Sequence, residues 1–235
     1  MTPRIAPLRL LGPVALRSQL SVLAQQFSAR TDIPVDMQWA LNPEIPDLIR
    51  GGTGFDVGVT NPWYVKDLID EGFVKDDTHA AFGRVMLASG AGTINTEAPQ
   101  GITEDVVALM RDAQTIAYTG AGTSGATFLR ILDQLGILAE VGGKCIPMNA
   151  GAPVRAAATG QADLAIAPLT TILSADGVTL RAVFPAEMDA HIDMSMFAAS
   201  SAPGHMGAAQ FLEFLGAHSL NDVLADMGIS RFALT

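Results

Sequence analysis

The residues with the clearest capacity for chemistry lie between Gln114 and Ile137, where an apolar strand-like run meets a glycine-rich turn and then an amphipathic helix. Glycines allow the backbone to approach a ligand closely, and hydroxyl side chains can cap the helix. Amide groups in the first turn of such a helix face an anion. The segment therefore predicts an anion-binding turn built from Gly120, Gly122, Thr123, Ser124 and Gly125.

The same glycines match the pattern G-x-G-x-x-G of dinucleotide-binding folds, which is the first alternative. That fold needs an acidic residue at the end of the next strand to hold the ribose. The next strand, predicted near Lys144–Met148, is followed by Asn149 and Ala150 instead. The motif also lies in the middle of the chain rather than near the start of a βαβ domain, so a dinucleotide site is disfavoured. A tight turn without a ligand remains the second alternative.

Length and composition indicate a globular protein with a substantial core. The chain has 235 residues, of which 49% are hydrophobic and 16% charged, enough for one large domain or two of about 100 residues. Its net charge of −10 argues against a nucleic-acid surface. An anion would therefore be held locally, by helix ends and a few side chains, against an unfavourable overall field.

Metal and disulfide chemistry are not predicted. The single Cys145 excludes an internal disulfide, and its apolar surroundings in sequence favour a buried structural thiol. The four histidines have no metal-ligand spacing. We expect no metal and no cofactor.

The N-terminal sequence bears on the compartment. The apolar run Leu8–Leu11 is short and contains Arg9, so it fits a first core strand rather than a signal peptide. No window is long and apolar enough to span a membrane. We expect a cytoplasmic protein as written, or a periplasmic one if a leader has been removed.

Strand and helix patterns alternate along the chain, which predicts α/β architecture with mostly parallel sheets. Ligands of open α/β sheets bind at the carboxyl ends of the strands. Polar loops follow several predicted strands. The candidate ligand-binding residues in these loops are Val14, Asn42, Thr60, Asn61, Thr119 and Asn149.

The order of the motifs resembles the type II periplasmic-binding fold, and in particular the molybdate-binding family of ABC-importer receptors. A branch of this family also resembles aconitate isomerase. The resemblance covers almost the whole chain. It is carried by the segments VALRSQLSVLAQQFSARTDIPVDMQW, FDVGVTNPWYVKDLIDEGFV, TIAYTGAGTSGATFLRILDQLGI, PVRAAATGQADLAIAPLTTIL and AAQFLEFLGAHSLNDVLADMGI.

The resemblance implies two lobes, each a mostly parallel sheet flanked by helices, with the ligand in a cleft between them. Lobe I would comprise residues 1–84 and 196–235, and lobe II residues 85–195. The chain would cross between the lobes near Gly83–Val85 and Asp193–Met196. The implied partners are a small anionic ligand and, for an exported form, an ABC importer.

Three positions depart from the family's molybdate site. Ala15 replaces an expected serine, Asn42 ends a loop that lacks the usual serine, and Pro168 falls where a tyrosine is expected. These differences disfavour tetrahedral molybdate or tungstate. Arg17 and Arg155 offer an alternative, because each is predicted in the first turn of a helix, where a positive charge opposes the macrodipole. Paired arginines would favour a carboxylate ligand.

Two functions follow from these observations. The first is a solute-binding protein that closes on a small anion, either a carboxylate or another oxyanion. The alternative is a cytoplasmic, cofactor-independent isomerase of an unsaturated carboxylic acid, which would need anion clamps and one weak base. Candidate bases are Glu44, His191 and Asp193, although no catalytic residue can be assigned from the sequence.

Overall fold

The computed structural model describes residues 6–92, 103–200 and 205–234. The contacts between residues divide the chain into two compact units. Unit 1 consists of Met1–Arg84 and Asp193–Thr235, and unit 2 consists of Val85–Ile192. The chain therefore passes from one unit to the other twice, after Arg84 and after Ile192.

Strands and helices alternate through most of the described chain, as the sequence predicts. The strands are β1 (Leu8–Pro13), β2 (Val35–Ala40), β3 (Val57–Thr60), β4 (Ala80–Gly92), β5 (Ile116–Thr119), β6 (Cys145–Met148), β7 (Leu164–Pro168), β8 (Val178–Val183) and β9 (His191–Ala198). The α-helices are α1 (Arg17–Thr31), α2 (Ile45–Arg50), α3 (Pro62–Asp70), α4 (Thr103–Asp112), α5 (Thr123–Gln134), α6 (Leu138–Val141), α7 (Ala152–Ala158), α8 (Leu169–Leu173), α9 (Gly207–Gly216) and α10 (Asn221–Asp226).

The sheet of unit 1 is built on three parallel strands. β1 lies between β2 and β3 and is parallel to both, and β3 pairs on its other side with β9 in the antiparallel sense. The three parallel strands are joined through α1 and α2, as expected for βαβ connections. Their carboxyl ends consequently lie at one edge of the sheet.

Unit 2 repeats this arrangement with β5 at the centre. β5 is parallel to β6 and to β7, whereas β4 pairs in the antiparallel sense with β7 and β8. In both units the antiparallel pairs involve β4, β8 or β9. The predicted α/β fold with parallel sheets is thus confirmed for the central strands of each unit.

The core of unit 1 follows from helical spacing of apolar residues in α1. Leu20, Leu23, Ala24 and Phe27 are buried on one face of this helix. The Phe27 ring packs edge-on against Phe211 of α9, with centroids 4.9 Å apart. The helix ends at Asp32, which adopts a left-handed conformation and donates its amide to the Ser28 carbonyl.

Two boundaries differ from the sequence prediction for identifiable reasons. The apolar run Arg84–Ala88 predicts a short strand, whereas β4 extends four residues further at each end, where glycines dilute the apolar signal. A Cβ at Gly83 would collide with Ile229, and one at Gly90 would lie 2.6 Å from Val178. These glycines are therefore required by close packing rather than by a turn.

Candidate functional site

Unit 1 brings its predicted loop residues together at one edge of the sheet. Pro13 of β1 pairs with Ala40 of β2, so the loops that follow these strands begin side by side. Leu11 pairs with Gly58 of β3, which aligns the third loop with the first two. The candidate residues at this edge are Val14, Ala15, Arg17, Asn42, Thr60 and Asn61.

Unit 2 does the same with the remaining candidates. Thr119 of β5 pairs with Met148 of β6, and Tyr118 pairs with Ile166 of β7. The carboxyl ends of the three strands therefore coincide. The candidate residues at this edge are Thr119, Gly122, Thr123, Ser124, Asn149 and Pro168.

The junction of β5 and α5 has the compact form that the glycine pattern predicts. Gly122 precedes the helix in an extended conformation, with φ −94° and ψ 159°. Its carbonyl accepts the amides of Gly125 and Ala126 at 3.1 and 3.2 Å. A Cβ at Gly125 would collide with the carbonyl oxygen of Thr119. Gly125 thus lets the first turn of α5 pack directly against the end of β5.

Hydroxyl groups are partly sheltered at this junction. Thr119 and Ser124 are each 9% exposed, and Thr123 is half-buried. The Gly125 and Ala126 amides are already paired with Gly122, whereas the amides that open an α-helix have no acceptor in a preceding helical turn. The start of α5 consequently brings backbone amides and sheltered hydroxyl groups together beside the exposed Gly120 and Ala121.

Asn42, Thr60 and Asn61 form a buried hydrogen-bonded group in unit 1. The Thr60 hydroxyl donates to Asn42 Oδ1 at 3.0 Å, and Asn61 Nδ2 donates to the Asp193 carbonyl at 2.7 Å. Both asparagine amides also contact the Met194 sulfur, at 3.7 and 3.8 Å. Asn42 is 5% exposed and the other two are fully buried. These side chains fix the β2–α2 and β3–α3 loops relative to β9.

An ion pair between Arg84 and Asp193 adjoins this group and was not predicted from the sequence. Arg84 Nε lies 2.7 Å from Asp193 Oδ1, and Nη2 lies 2.9 Å from Oδ2. The residues are 109 positions apart in the chain. The sequence predicts only that both residues lie near the points where the chain crosses between the lobes. Their pairing could not be predicted without knowing how the strands pair.

Arg17 lies in the first turn of α1, as predicted, where it is the first residue, and it is exposed. Its guanidinium carbon lies 5.8 Å from the centroid of the Trp39 ring. This cation–π contact offsets the unfavourable position of a positive charge at a helix start. The contact gives Arg17 a structural role at the start of α1, which lies at the strand-end edge of unit 1.

Arg155 lies on a short helix, as predicted. Helix α7 runs from Ala152 to Ala158 after Gly151 in a left-handed conformation, so Arg155 is its fourth residue and belongs to its first turn as well as to its last. A Cβ at Gly151 would lie 3.2 Å from Arg155 Nη1, which places the guanidinium beside the start of the helix. The helix dipole does not stabilise a positive charge there, and Arg155 stays a predicted ligand-binding residue.

The three candidate bases each make a structural contact. Glu44 accepts the Leu41 amide at 2.8 Å, and Asp193 is paired with Arg84. His191 Nδ1 lies 3.2 Å from an oxygen of Asp189. These contacts give each group a role in local structure.

Helix starts that follow the parallel strands carry few carboxylates, although the chain has 24 acidic and 14 basic residues. The first turns of α1, α3, α5, α7 and α8 contain no acidic residue. In contrast, α4, α6 and α10, which do not follow these strands, contain at least one. The exception at the strand-end edge is the β2–α2 connection, with Glu44 and Asp47. The positive ends of most of these helices are therefore left without a carboxylate from their own first turns.

Other kinds of site find no support within the described residues. No group of three or more histidine, cysteine or acidic side chains there could hold a metal ion. Among the helices of the same residues, none combines the length and apolar character needed to cross a membrane. Cys145 is half-buried, its thiol contacts the Val141 carbonyl at 3.4 Å, and burial raises its pKa.

Solved structures of the same fold include several anion-binding proteins. The periplasmic molybdate-binding protein of Azotobacter vinelandii superimposes with a TM-score of 0.80 and 17% identity, over 94% of this chain and 98% of that one. The substrate-binding domain of a molybdenum ABC transporter from Clostridium difficile gives 0.76 and 14%, over 96% and 99%. PEB3 of Campylobacter jejuni, solved with L-phospholactate, gives 0.69 and 12%, over 96% and 100%. These likenesses confirm the predicted periplasmic-binding-protein fold.

The family assignment rests on the sequence. None of the functionally curated proteins matches this chain significantly. The model of the bacterial extracellular solute-binding proteins, however, matches residues 8–230, which includes the loops of both units. The chain belongs to this family of bacterial extracellular solute-binding proteins.

Proposed function

We propose that the protein is the receptor for a small oxyanion and binds it at the strand-end loops, chiefly at the start of α5. The observation that carries this proposal is the absence of acidic residues from the first turns of five of the six helices that follow the parallel strands, α2 being the exception. The chain is acidic overall, yet these positive helix ends have no carboxylate in their first turns. An external anion can therefore bind there without meeting a negative side chain of the same turn.

Local donors rather than the overall field would provide the affinity. The net charge of −10 repels anions at long range. At the β5–α5 junction, however, the helix amides and the sheltered hydroxyls of Thr119 and Ser124 can donate to an oxyanion at short range. The family, and the molybdate or phospholactate named for proteins of the same fold, agree with this class of ligand.

A carboxylate is the finer proposal for the chemical class. Arg17 lies at the strand-end edge of unit 1, and the planar guanidinium can bind a carboxylate through two N–H groups. Its contact with Trp39 limits the freedom of the side chain, which lowers the entropy lost on binding. The interlobe cleft implied by the sequence resemblance stays a prediction.

We do not extend the proposal to isomerase activity. Glu44, His191 and Asp193 are each engaged by a neighbouring group, so none of these candidate bases has a contact pattern that favours proton abstraction. The extracellular family and the fold favour a receptor that would act outside the cytoplasm, with an ABC importer as its partner.

Calorimetric titration of the wild-type protein and of Gly122→Val tests the proposal. The ligands are molybdate, sulfate, phosphate, succinate and citrate. We expect saturable binding of at least one by the wild type. Gly122→Val should weaken that binding by about tenfold or more, because its side chain would crowd the start of α5.

Backbone strain does not complicate this variant, since φ −94° is accessible to valine. A free energy of unfolding close to that of the wild type will verify that the fold is retained. Equal affinity in the two proteins would contradict the proposed location, and the failure of all five ligands to bind would contradict the function.

A further inference from the structure

A chain of side-chain contacts in unit 1 links the β3–α3 loop with the two points at which the chain leaves and re-enters the unit. Arg84 is the last residue of unit 1 on β4, and Asp193 is the first on β9. Their side chains form the bidentate ion pair described above and are 35% and 18% exposed. Bidentate, charge-assisted pairs fix geometry more firmly than single hydrogen bonds do.

Asp193 is held from a second side by the loop. Its main-chain carbonyl accepts the Asn61 side-chain amide at 2.7 Å. Asn61 is fully buried and immediately precedes α3, so its position sets where that helix begins. The carboxylate of Asp193 thus faces Arg84, while its carbonyl faces the loop.

Arg84 in turn is fixed by the C-terminal segment. Its amide donates to the Ser230 carbonyl at 2.7 Å, and its carbonyl accepts the Ser230 amide at 3.0 Å. The guanidinium carbon lies 5.6 Å from the centroid of the Phe232 ring. The positive partner of the ion pair therefore has little freedom to follow Asp193 if Asp193 moves.

We propose that Arg84 and Asp193 are positioning residues for anion binding, which hold Asn61 and the start of α3 in the binding arrangement through the Asp193 carbonyl. This inference rests on the proposed function, because the start of α3 lies at the strand-end edge where we expect the ligand, whereas Asn61 itself is fully buried and acts by positioning that start. The ion pair does not touch the ligand. It acts by fixing the residue that Asn61 binds.

A second ion pair in the same unit supplies the matched control. Arg9 and Asp56 also form a bidentate pair, with Nε–Oδ2 and Nη2–Oδ1 distances of 3.1 and 2.9 Å. Arg9 lies near the amino end of β1, away from the strand-end loops. If the ion pairs only stabilise the fold, breaking either pair should change the oxyanion affinity to a similar extent. If Arg84 and Asp193 position the loop, only their replacement should weaken binding.

The test compares Arg84→Lys and Asp193→Asn with Arg9→Lys and Asp56→Asn. Asp193→Asn keeps the main-chain carbonyl, removes the charge and replaces one of the two oxygens that accept from Arg84. Calorimetry with the tightest wild-type oxyanion of the panel should show about three- to tenfold weaker binding in the first two variants. The two control variants should stay within about twofold of the wild type. Urea unfolding of all four will verify that loss of stability does not explain the difference.

Hydrogen exchange of the free protein gives a second, ligand-independent measurement. The Tyr64 amide donates to the Asn61 carbonyl at 3.1 Å and reports on the start of α3. Its exchange should accelerate about threefold or more in Arg84→Lys and remain unchanged in Arg9→Lys.

The two measurements separate the failure of this inference from the failure of the proposed function. If the wild type binds no oxyanion, the proposed function is wrong, and the Tyr64 exchange rate alone decides whether the ion pair controls the loop. Unchanged exchange in Arg84→Lys would overturn the inference. Unchanged affinity in Arg84→Lys and Asp193→Asn, for a wild type that binds, would also overturn it.

Discussion

At the residue scale, Arg17 combines a structural contact with a position suited to binding. It stacks on Trp39 at the start of α1, while Arg30 stacks on Phe214 in the last turn of the same helix, at 5.3 Å. The two arginines therefore share a helix and a type of contact but differ in which end of the helix they occupy. Only Arg17 lies at the carboxyl edge of the sheet.

This difference predicts the outcome of truncating each arginine. Arg17→Ala should reduce the affinity for a carboxylate that binds the wild type by about 2 kcal/mol, because a charge-assisted pair is lost. Arg30→Ala should leave that affinity unchanged. Calorimetry on both variants decides the matter, and equal affinities for Arg17→Ala and the wild type would remove Arg17 from the site.

His79 carries a prediction about pH. Its Nε2 atom is buried and has no hydrogen-bond partner in the described structure. Burial lowers the pKa of His79 below 6.5, and the nearby Asp76 charge only partly opposes this shift. Because the folded state resists protonation, the unfolded state binds more protons as the pH falls below about 6.5. The contribution of His79 therefore destabilises the fold progressively in that range.

Replacement of His79 by glutamine removes this titration. The loss in free energy of unfolding between pH 7.5 and 5.5 should be smaller in His79→Gln than in the wild type. Urea unfolding of the wild type and of His79→Gln at the two pH values measures this difference, and an unaltered pH dependence in His79→Gln would contradict the assignment.

At the element scale, the start of α5 determines the strongest prediction. An aspartate in its first turn would place a carboxylate where we propose that the ligand anion binds. Thr123→Asp should therefore weaken oxyanion binding by about tenfold, ~1.4 kcal/mol, while the helix dipole helps to maintain stability. The affinity of the variant is compared with that of the wild type by calorimetry.

The control places the same charge on a helix that does not follow a parallel strand. Ala209 is exposed in the first turn of α9, which also lacks an acidic residue there. Ala209→Asp changes the net charge equally and should leave the affinity within about twofold of the wild type. Equal losses in both variants would mean that net charge, rather than the start of α5, controls binding.

The accuracy of the sequence predictions also depended on the kind of element. The uninterrupted apolar periodicity of Thr103–Asp112 predicts a helix and that of Val178–Val183 predicts a strand, and α4 and β8 have these bounds. The short helices α6 and α8 were not predicted, since four or five residues are too few to establish a helical period. The sequence predicts a helix over Pro153–Thr159, one residue later than α7, and this shift leaves Arg155 within the first turn.

At the scale of the whole molecule, the sequence indicated the fold through the order of its motifs, and the parallel register then aligned the predicted loops. The alignment of Thr119 with Met148, for example, follows once β5 and β6 are known to be parallel. Contacts between distant segments could not be predicted in this way. The Arg84–Asp193 pair depends on how β4 and β9 return to unit 1, which local patterns do not encode.

The most direct test of the central claim is an NMR titration of ¹⁵N-labelled protein with the tightest oxyanion of the panel. We expect saturable shifts that are largest for the amides of Gly122, Thr123 and Ser124, because an anion bound at the start of α5 would lie closest to them. Residues on α9 should shift little. Saturable binding whose largest shifts lie away from the strand-end loops, or no saturable shift with any oxyanion, would contradict the account.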